Sequence, residues 1–359
     1  MSGFRVVALH LTVIVVGLLL LLTGCGAAAA PPAAPGAPAA DRLPWPAGLP
    51  AAGPVTCPAP TVRVGTAAEL EAALRDPAPG TVIGLAPGVY DGTFTASGRG
   101  TADAPIWLCG PRDAVLRGPG TDDGMVLHLQ QAAHWRLDGF TVREGKKGVM
   151  VDETADSVLQ DLTVTEVGDE AVHLRTNSTA NVVRGLTISD TGLREEKFGE
   201  GVYVGSAVSN WGELTGGEPD RSDRNVIVAN TISATTAEAV DIKEGTTGGV
   251  VADNAFDGAG LRGQADSWVD VKGNGWLIQA NRGTSTARSG FEVDLQADGW
   301  GTGNTFDANS ADLAGSGGDA PGYGYDLRRP TDDPAARNRV TCTNTATGAA
   351  SGLTNTTCT

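Results

Sequence analysis

A five-residue block of alternating character recurs through the second half of this chain. Six copies are clear: Gly148-Val149-Met150-Val151-Asp152, Ala171-Val172-His173-Leu174-Arg175, Gly201-Val202-Tyr203-Val204-Gly205, Ala239-Val240-Asp241-Ile242-Lys243, Trp268-Val269-Asp270-Val271-Lys272 and Gly290-Phe291-Glu292-Val293-Asp294. Weaker copies run from Met125 to Leu129 and from Gly322 to Asp326. Successive second residues are 23, 30, 38, 29, 22 and 32 positions apart. A base period of about 22 with insertions is the signature of one solenoid coil. Within each block the period is two, so the aliphatic residues face inward and the polar ones outward. A second apolar strand follows, as at Val182-Val183 and Val250-Val251, and then a recurring Asn at Asn230, Asn254, Asn281 and Asn304. Stacked Asn side chains can hydrogen-bond from coil to coil and satisfy buried amides. The expected fold class is all-β, a right-handed parallel β-helix. A β-propeller is the main rival, but a blade needs about 40 residues, and these steps are mostly shorter.

Composition agrees. With 50 Gly in 359 residues and 5% aromatics, a long-helix protein is excluded. A formal net charge of −16 argues against nucleic acid as a partner, since phosphate binding needs a basic face. The expected state is a monomer.

Ahead of the repeats, Thr66-Ala67-Ala68-Glu69 has capping-box spacing, and Leu70, Ala73 and Leu74 share one helical face. That short N-terminal helix is expected to cap the open end of the first coil. At the start of the chain, Arg5 precedes an apolar run from Val6 to Leu22 that ends in Leu22-Thr23-Gly24-Cys25. Residues 1–24 resemble a bacterial lipoprotein signal peptide, which makes Cys25 the lipidated residue of an exported protein anchored to the cell membrane. Residues 25–56, rich in Ala, Pro and Gly, are expected to act as a tether, leaving 57–359 as the β-helix domain. The remaining Cys57, Cys109, Cys342 and Cys358 suggest two disulfides in an exported chain. Of three pairings, Cys57–Cys109 and Cys342–Cys358 are favoured because each staples one end.

Stacked coils turn equivalent outward residues into columns about 4.8 Å apart per step. One column reads Met150, His173, Tyr203, Asp241, Asp270, Glu292; its neighbour reads Asp152, Arg175, Gly205, Lys243, Lys272, Asp294; a third holds Glu170, Glu200 and Glu238. Like charges this close call for a cation or a paired base. Glu200, Glu238, Asp241, Asp270 and Glu292 offer the hard oxygens that Ca²⁺ prefers. The competing reading is a solvated face held by Lys–Asp pairs.

The scaffold motifs Ala68-Glu69-Leu70, Pro79-Gly80-Thr81-Val82-Ile83, Pro87-Gly88-Val89-Tyr90 and Gly100-Thr101-Ala102-Asp103-Ala104-Pro105-Ile106 resemble the amino-terminal end of β-helical polysaccharide lyases. The resemblance is greatest to the alginate lyase and chondroitinase B family, and weaker to the family-nine pectate lyases. Gly199-Glu200-Gly201-Val202-Tyr203 and Ala237-Glu238-Ala239-Val240-Asp241-Ile242-Lys243 are similar to consecutive coils of that family. The similarity implies Glu238 as a Ca²⁺ ligand and Lys243 as the base of a β-elimination on a uronic acid in an acidic polysaccharide. The family's catalytic Arg is replaced here by Lys272, given the role of acid, and a family Glu by Thr236. Arg175, Arg262 and His173 are candidate substrate-binding residues, with Tyr203 and Trp211 as sugar-stacking rings. The alternatives are a non-catalytic carbohydrate-binding β-helix and a glycoside hydrolase, whose usual Gly-His-Gly signature is absent from the sequence.

Overall fold

The fold is that of a computed structural model, which describes Met1 and residues 42–262, 265–314, 322–327 and 337–359. The chain divides into two units, Met1–Pro35 and Gly36–Thr359. The signal segment and Cys25 lie outside the described residues.

The second unit is an all-β parallel β-helix. Three parallel sheets of 11, 10 and 10 strands run the length of the described coils, and each coil contributes one strand to each sheet. The coil from Val172–Arg175 through Val182–Arg184 to Thr187–Ser189 is representative. All six clear blocks fall in one sheet, in the register His173–Tyr203–Asp241–Asp270–Glu292. The last, weak copy is displaced by two residues from its expected alignment: Phe291 pairs with Tyr325, and Asp326 extends the acidic column. Packing explains the shift, because the Tyr325 ring stacks on that of Phe291, 5.1 Å away.

The corner between the second and third sheets carries one residue in the left-handed region, such as Ala229, Asp253, Ala280 and Ala308. Such a residue turns the chain sharply and leaves the next amide pointing along the coil axis. An Asn follows each and answers that amide. Asn230, Asn254, Asn281, Asn309 and Asn344 form one ladder, each Oδ1 accepting from the previous Asn backbone and side chain. Asn304, expected in this ladder, belongs to another column at the preceding corner, where it accepts from Trp276 N. Asn254 is fully buried and its amide has four partners: Asn230 N, Asn230 Nδ2, the Ile227 carbonyl and Asn281 Oδ1. Asn254→Ala strands them all, and we expect a loss of about 3 kcal/mol in urea unfolding.

The expected cap is present: helix Ala67–Leu74, with Thr66 and Glu69 closing a reciprocal capping box and Leu70 and Leu74 buried. Both favoured disulfides, Cys57–Cys109 and Cys342–Cys358, are formed. The tether expected over 25–56 is corrected at its end. Residues 42–56 form a strap along the outside of the 11-stranded sheet. Trp45, Leu49, Ala52 and Val55 pack on a stripe that includes Val182, Val226, Val250 and Leu277. Polar contacts fix it from Leu43 N on Asp307 (2.9 Å) to Val55 N on Gln160 (2.8 Å). Composition hid this because the strap's few apolar residues are spaced out among Pro and Gly.

Candidate active site

The middle coils of the repeat sheet place their outward side chains in a cleft of about 290 Å³, lined by Lys197, Glu200, Glu238, Asp241, Lys243, Asp270, Lys272 and Glu292 among others. Two-residue alternation aims Asp241, Asp270 and Glu292 away from the aliphatic core, and the turns ahead of the strands bring in Glu200 and Glu238. Asp241 is only 2% exposed, and Lys272 6%.

Asp241 is the hub. Its Oδ2 lies 2.6 Å from Lys243 Nζ and its Oδ1 2.8 Å from Lys272 Nζ. Lys272 also reaches Asp270 Oδ2 at 2.5 Å. Burial works to raise the Asp241 pKa, but Lys243 and Lys272 outweigh it and hold the carboxylate ionised. For Lys272, burial favours the neutral amine, and Asp241 and Asp270 overcome it, so its proton is held well above the ordinary lysine range. The reading of Lys–Asp pairs therefore holds for Asp270 and Lys272.

Glu200, Glu238 and Asp241 each place an oxygen within 4.8 Å of the others. Glu200 Oε2 is buried without a hydrogen-bond partner. Burial first, then repulsion from Glu170, Asp241 and Glu238, pushes the Glu200 carboxyl well up. Burial and Asp241 raise Glu238 to about 7. Three converging hard oxygens, one orphaned and two from carboxyls reluctant to ionise, suit Ca²⁺. Of the other expected ligands, Asp270 is committed on one oxygen to Lys272, and Glu292 lines the cleft one coil further on.

The raised Glu238 pKa has a signed consequence. The folded state holds the proton more tightly than the unfolded chain, so stability falls as pH rises from about 4.5 to about 7. In chelator, Glu238→Gln is expected to stabilise the protein at pH 8 by about 2 kcal/mol, a figure reduced for partial exposure, and to leave it unchanged at pH 4.

Tyr203 stands between two partners. His173 meets its ring edge-on at 4.3 Å, and Lys243 Nζ lies 5.0 Å from the ring centroid on the other coil. Burial, followed by the Asp241 and Glu200 charges, lifts the phenol well above its usual pKa. The buried His173 is held by the Gly205 carbonyl at Nε2 (2.9 Å) and faces Glu170 at Nδ1 (3.4 Å). Arg175 is paired with Asp152 at 2.8 Å, and none of Arg175, His173 and Tyr203 is among the described residues that line the cleft.

Two expected substrate contacts are corrected. Trp211 is 8% exposed and donates Nε1 to the Ser206 carbonyl, so it packs its own insertion and offers no ring face to a sugar. Arg262 turns back onto the Ala259 and Leu261 carbonyls and does not line the cleft. Lys197, Asp266 and Gln296, which the repeat pattern does not reveal, do line it. They sit on inter-strand segments whose lengths vary, where periodicity gives no signal.

No family model matches the chain, and no curated protein matches its sequence. Solved structures do. An alginate lyase from Paenibacillus sp. str. FPU-7 is 34% identical, with a TM-score of 0.74, over 82% of this chain and 97% of that one. The chain belongs to that enzyme's family and is a polysaccharide lyase. A pectate lyase (14% identity, TM-score 0.52, covering 77% of this chain and 72% of that one) shares the fold. So does a polygalacturonase from Erwinia carotovora ssp. carotovora (10%, 0.55, 85% and 98%). The lyase's two disulfides fit an extracytoplasmic enzyme.

Proposed function

We propose that this lyase cleaves a uronic-acid polysaccharide by β-elimination, with alginate the first substrate to test. The observation that carries the reading is Lys243, lining an acidic cleft with its ammonium 5.0 Å from the Tyr203 ring centroid, in a chain 34% identical to an alginate lyase. Lys243 is the base that takes the C5 proton. As the C5–H bond breaks, its electrons form the C4=C5 double bond and the C4–O4 bond breaks. The departing O4 needs a proton. Lys272, given that role by the sequence, is a poor donor because two carboxylates hold its proton. The Tyr203 phenol, which keeps its proton at neutral pH, is bound to no carboxylate among the described residues and is more exposed than Lys272, takes that role in this proposal. Lys272 then serves to keep Asp241 and Asp270 in position.

Glu200, Glu238 and Asp241 are the residues that would hold Ca²⁺, which when bound supplies a Lewis acid for the sugar's C6 carboxylate. The lipoprotein reading of residues 1–24, with Cys25 lipidated, belongs to the same proposal: a membrane-anchored enzyme acting outside the cytoplasm on an acidic glycan. The test is incubation with polymannuronate, polyguluronate, polygalacturonate and chondroitin sulfate, with Ca²⁺ or chelator, following the ultraviolet absorbance of the unsaturated product. Absorbance that rises on one polymer names the substrate; none on any polymer rejects the reading.

A further inference from the structure

One cation of the cleft is not tied to a carboxylate. Lys243 and Lys272 are engaged with Asp241 and Asp270, whereas Lys197 forms no ion pair among the described residues. Its ammonium lies 4.7 Å from the ring centroid of Phe198, the next residue along. Both belong to the short 3-10 turn Glu196–Phe198, just ahead of Glu200. Phe198 is 40% exposed and Leu193, in the same segment, 55%, among the few large apolar side chains left in solvent.

The segment is anchored at its base. Thr191 Oγ1 donates to the Gly199 carbonyl at 2.5 Å, and Thr236 Oγ1, from the next coil, donates to the Glu196 carbonyl at 2.8 Å. The approach is close enough to require glycine on both sides of the turn. A Cβ on Gly192 would lie 1.7 Å from Thr236 Oγ1, and one on Gly199 2.0 Å from it. Thr236 therefore acts structurally, pinning a turn that brings Lys197 into the cleft lining with the exposed Phe198 ring beside it.

We infer that Lys197 and Phe198 form a binding subsite for a second uronate, adjoining the sugar that meets Lys243. Such a residue offers both matching features, a carboxylate for the ammonium and a C–H face for the ring. In the free enzyme the Phe198 ring holds the Lys197 charge; a bound uronate takes that charge and frees the ring for the sugar. The inference rests on the lyase reading proposed above.

The test compares Lys197→Ala, Lys197→Arg and Phe198→Ala with the wild type. Steady-state kinetics use the polyuronate that the wild type cleaves, and affinity electrophoresis in gels containing that polymer reports binding directly. We expect Lys197→Ala to raise KM about tenfold, as for loss of a charge-assisted contact, with kcat within about twofold. Lys197→Arg should restore KM, Phe198→Ala should raise it less, and added salt should shrink the Lys197 effect. An unchanged KM and gel mobility in Lys197→Ala, with the wild type active, overturns the subsite and leaves the lyase reading intact. A fall in kcat at constant KM also overturns it, since Lys197 would then act in the chemistry. A wild type that neither binds nor cleaves any polyuronate overturns both.

Discussion

Lys243→Ala is expected to lower kcat at least about a hundredfold, because removing a general base costs roughly 10²- to 10⁴-fold. Lys272, the other amine on Asp241, is enclosed by Asp241 and Asp270. The fold should survive the change, since Asp241 retains Lys272. Lys243→Arg sharpens the test. It keeps a positive charge beside Asp241, but a guanidinium does not give up its proton at any working pH, so it cannot accept one from C5. If Lys243 is the base, both variants are inactive. If Lys243 serves only as a charge, Arg retains activity and the base must be sought elsewhere in the cleft.

The second large effect concerns stability. Asp241→Ala removes the carboxylate shared by two lysines and leaves Lys272 buried with Asp270 alone. Breaking a buried ion pair from one side typically costs about 3–5 kcal/mol, so we expect a loss of about 3 kcal/mol in urea unfolding at pH 7. Its pH dependence has a definite sign. The folded-state pKa of Asp241 lies below the unfolded value, so its contribution is present above about pH 4 and fades as pH falls further. The gap between Asp241→Ala and wild type should close accordingly. A loss under about 1 kcal/mol at pH 7 would show that the hub does not hold the cleft together.

Much of this architecture is legible in the chain because a β-helix repeats one local pattern. Val172, Val202, Val240, Val269 and Phe291 announce a single sheet, and the same alternation fixes the outward columns that hold Tyr203, Asp241 and Lys243. Both disulfides are within reach for the same reason, each joining cysteines at one end of a linear stack. What escapes depends on contacts that carry no period. Trp211 and Arg262 lie on insertions whose course no alternation specifies, so chemistry suggests sugar contacts where the chain satisfies itself. Lys197 is hidden for the complementary reason, brought to the cleft by Thr236 of a neighbouring coil and the two glycines that flank its own turn. The role of Lys272 turns on burial. An exposed lysine column suggests an acid, whereas two carboxylates in a covered site make a fixed cation. The strap over 42–56 requires knowing that the 11-stranded sheet leaves an apolar stripe to be covered.

The most direct measurement is the mass of the products released from a defined uronate oligosaccharide. Elimination across C4–C5 yields fragments one of which is lighter by a water than its hydrolytic counterpart and absorbs in the ultraviolet. Unsaturated, water-deficient products from the wild type, and none from Lys243→Ala, are the expected result. Fully hydrated fragments, or an intact oligosaccharide with every uronate tried, would contradict β-elimination at this cleft.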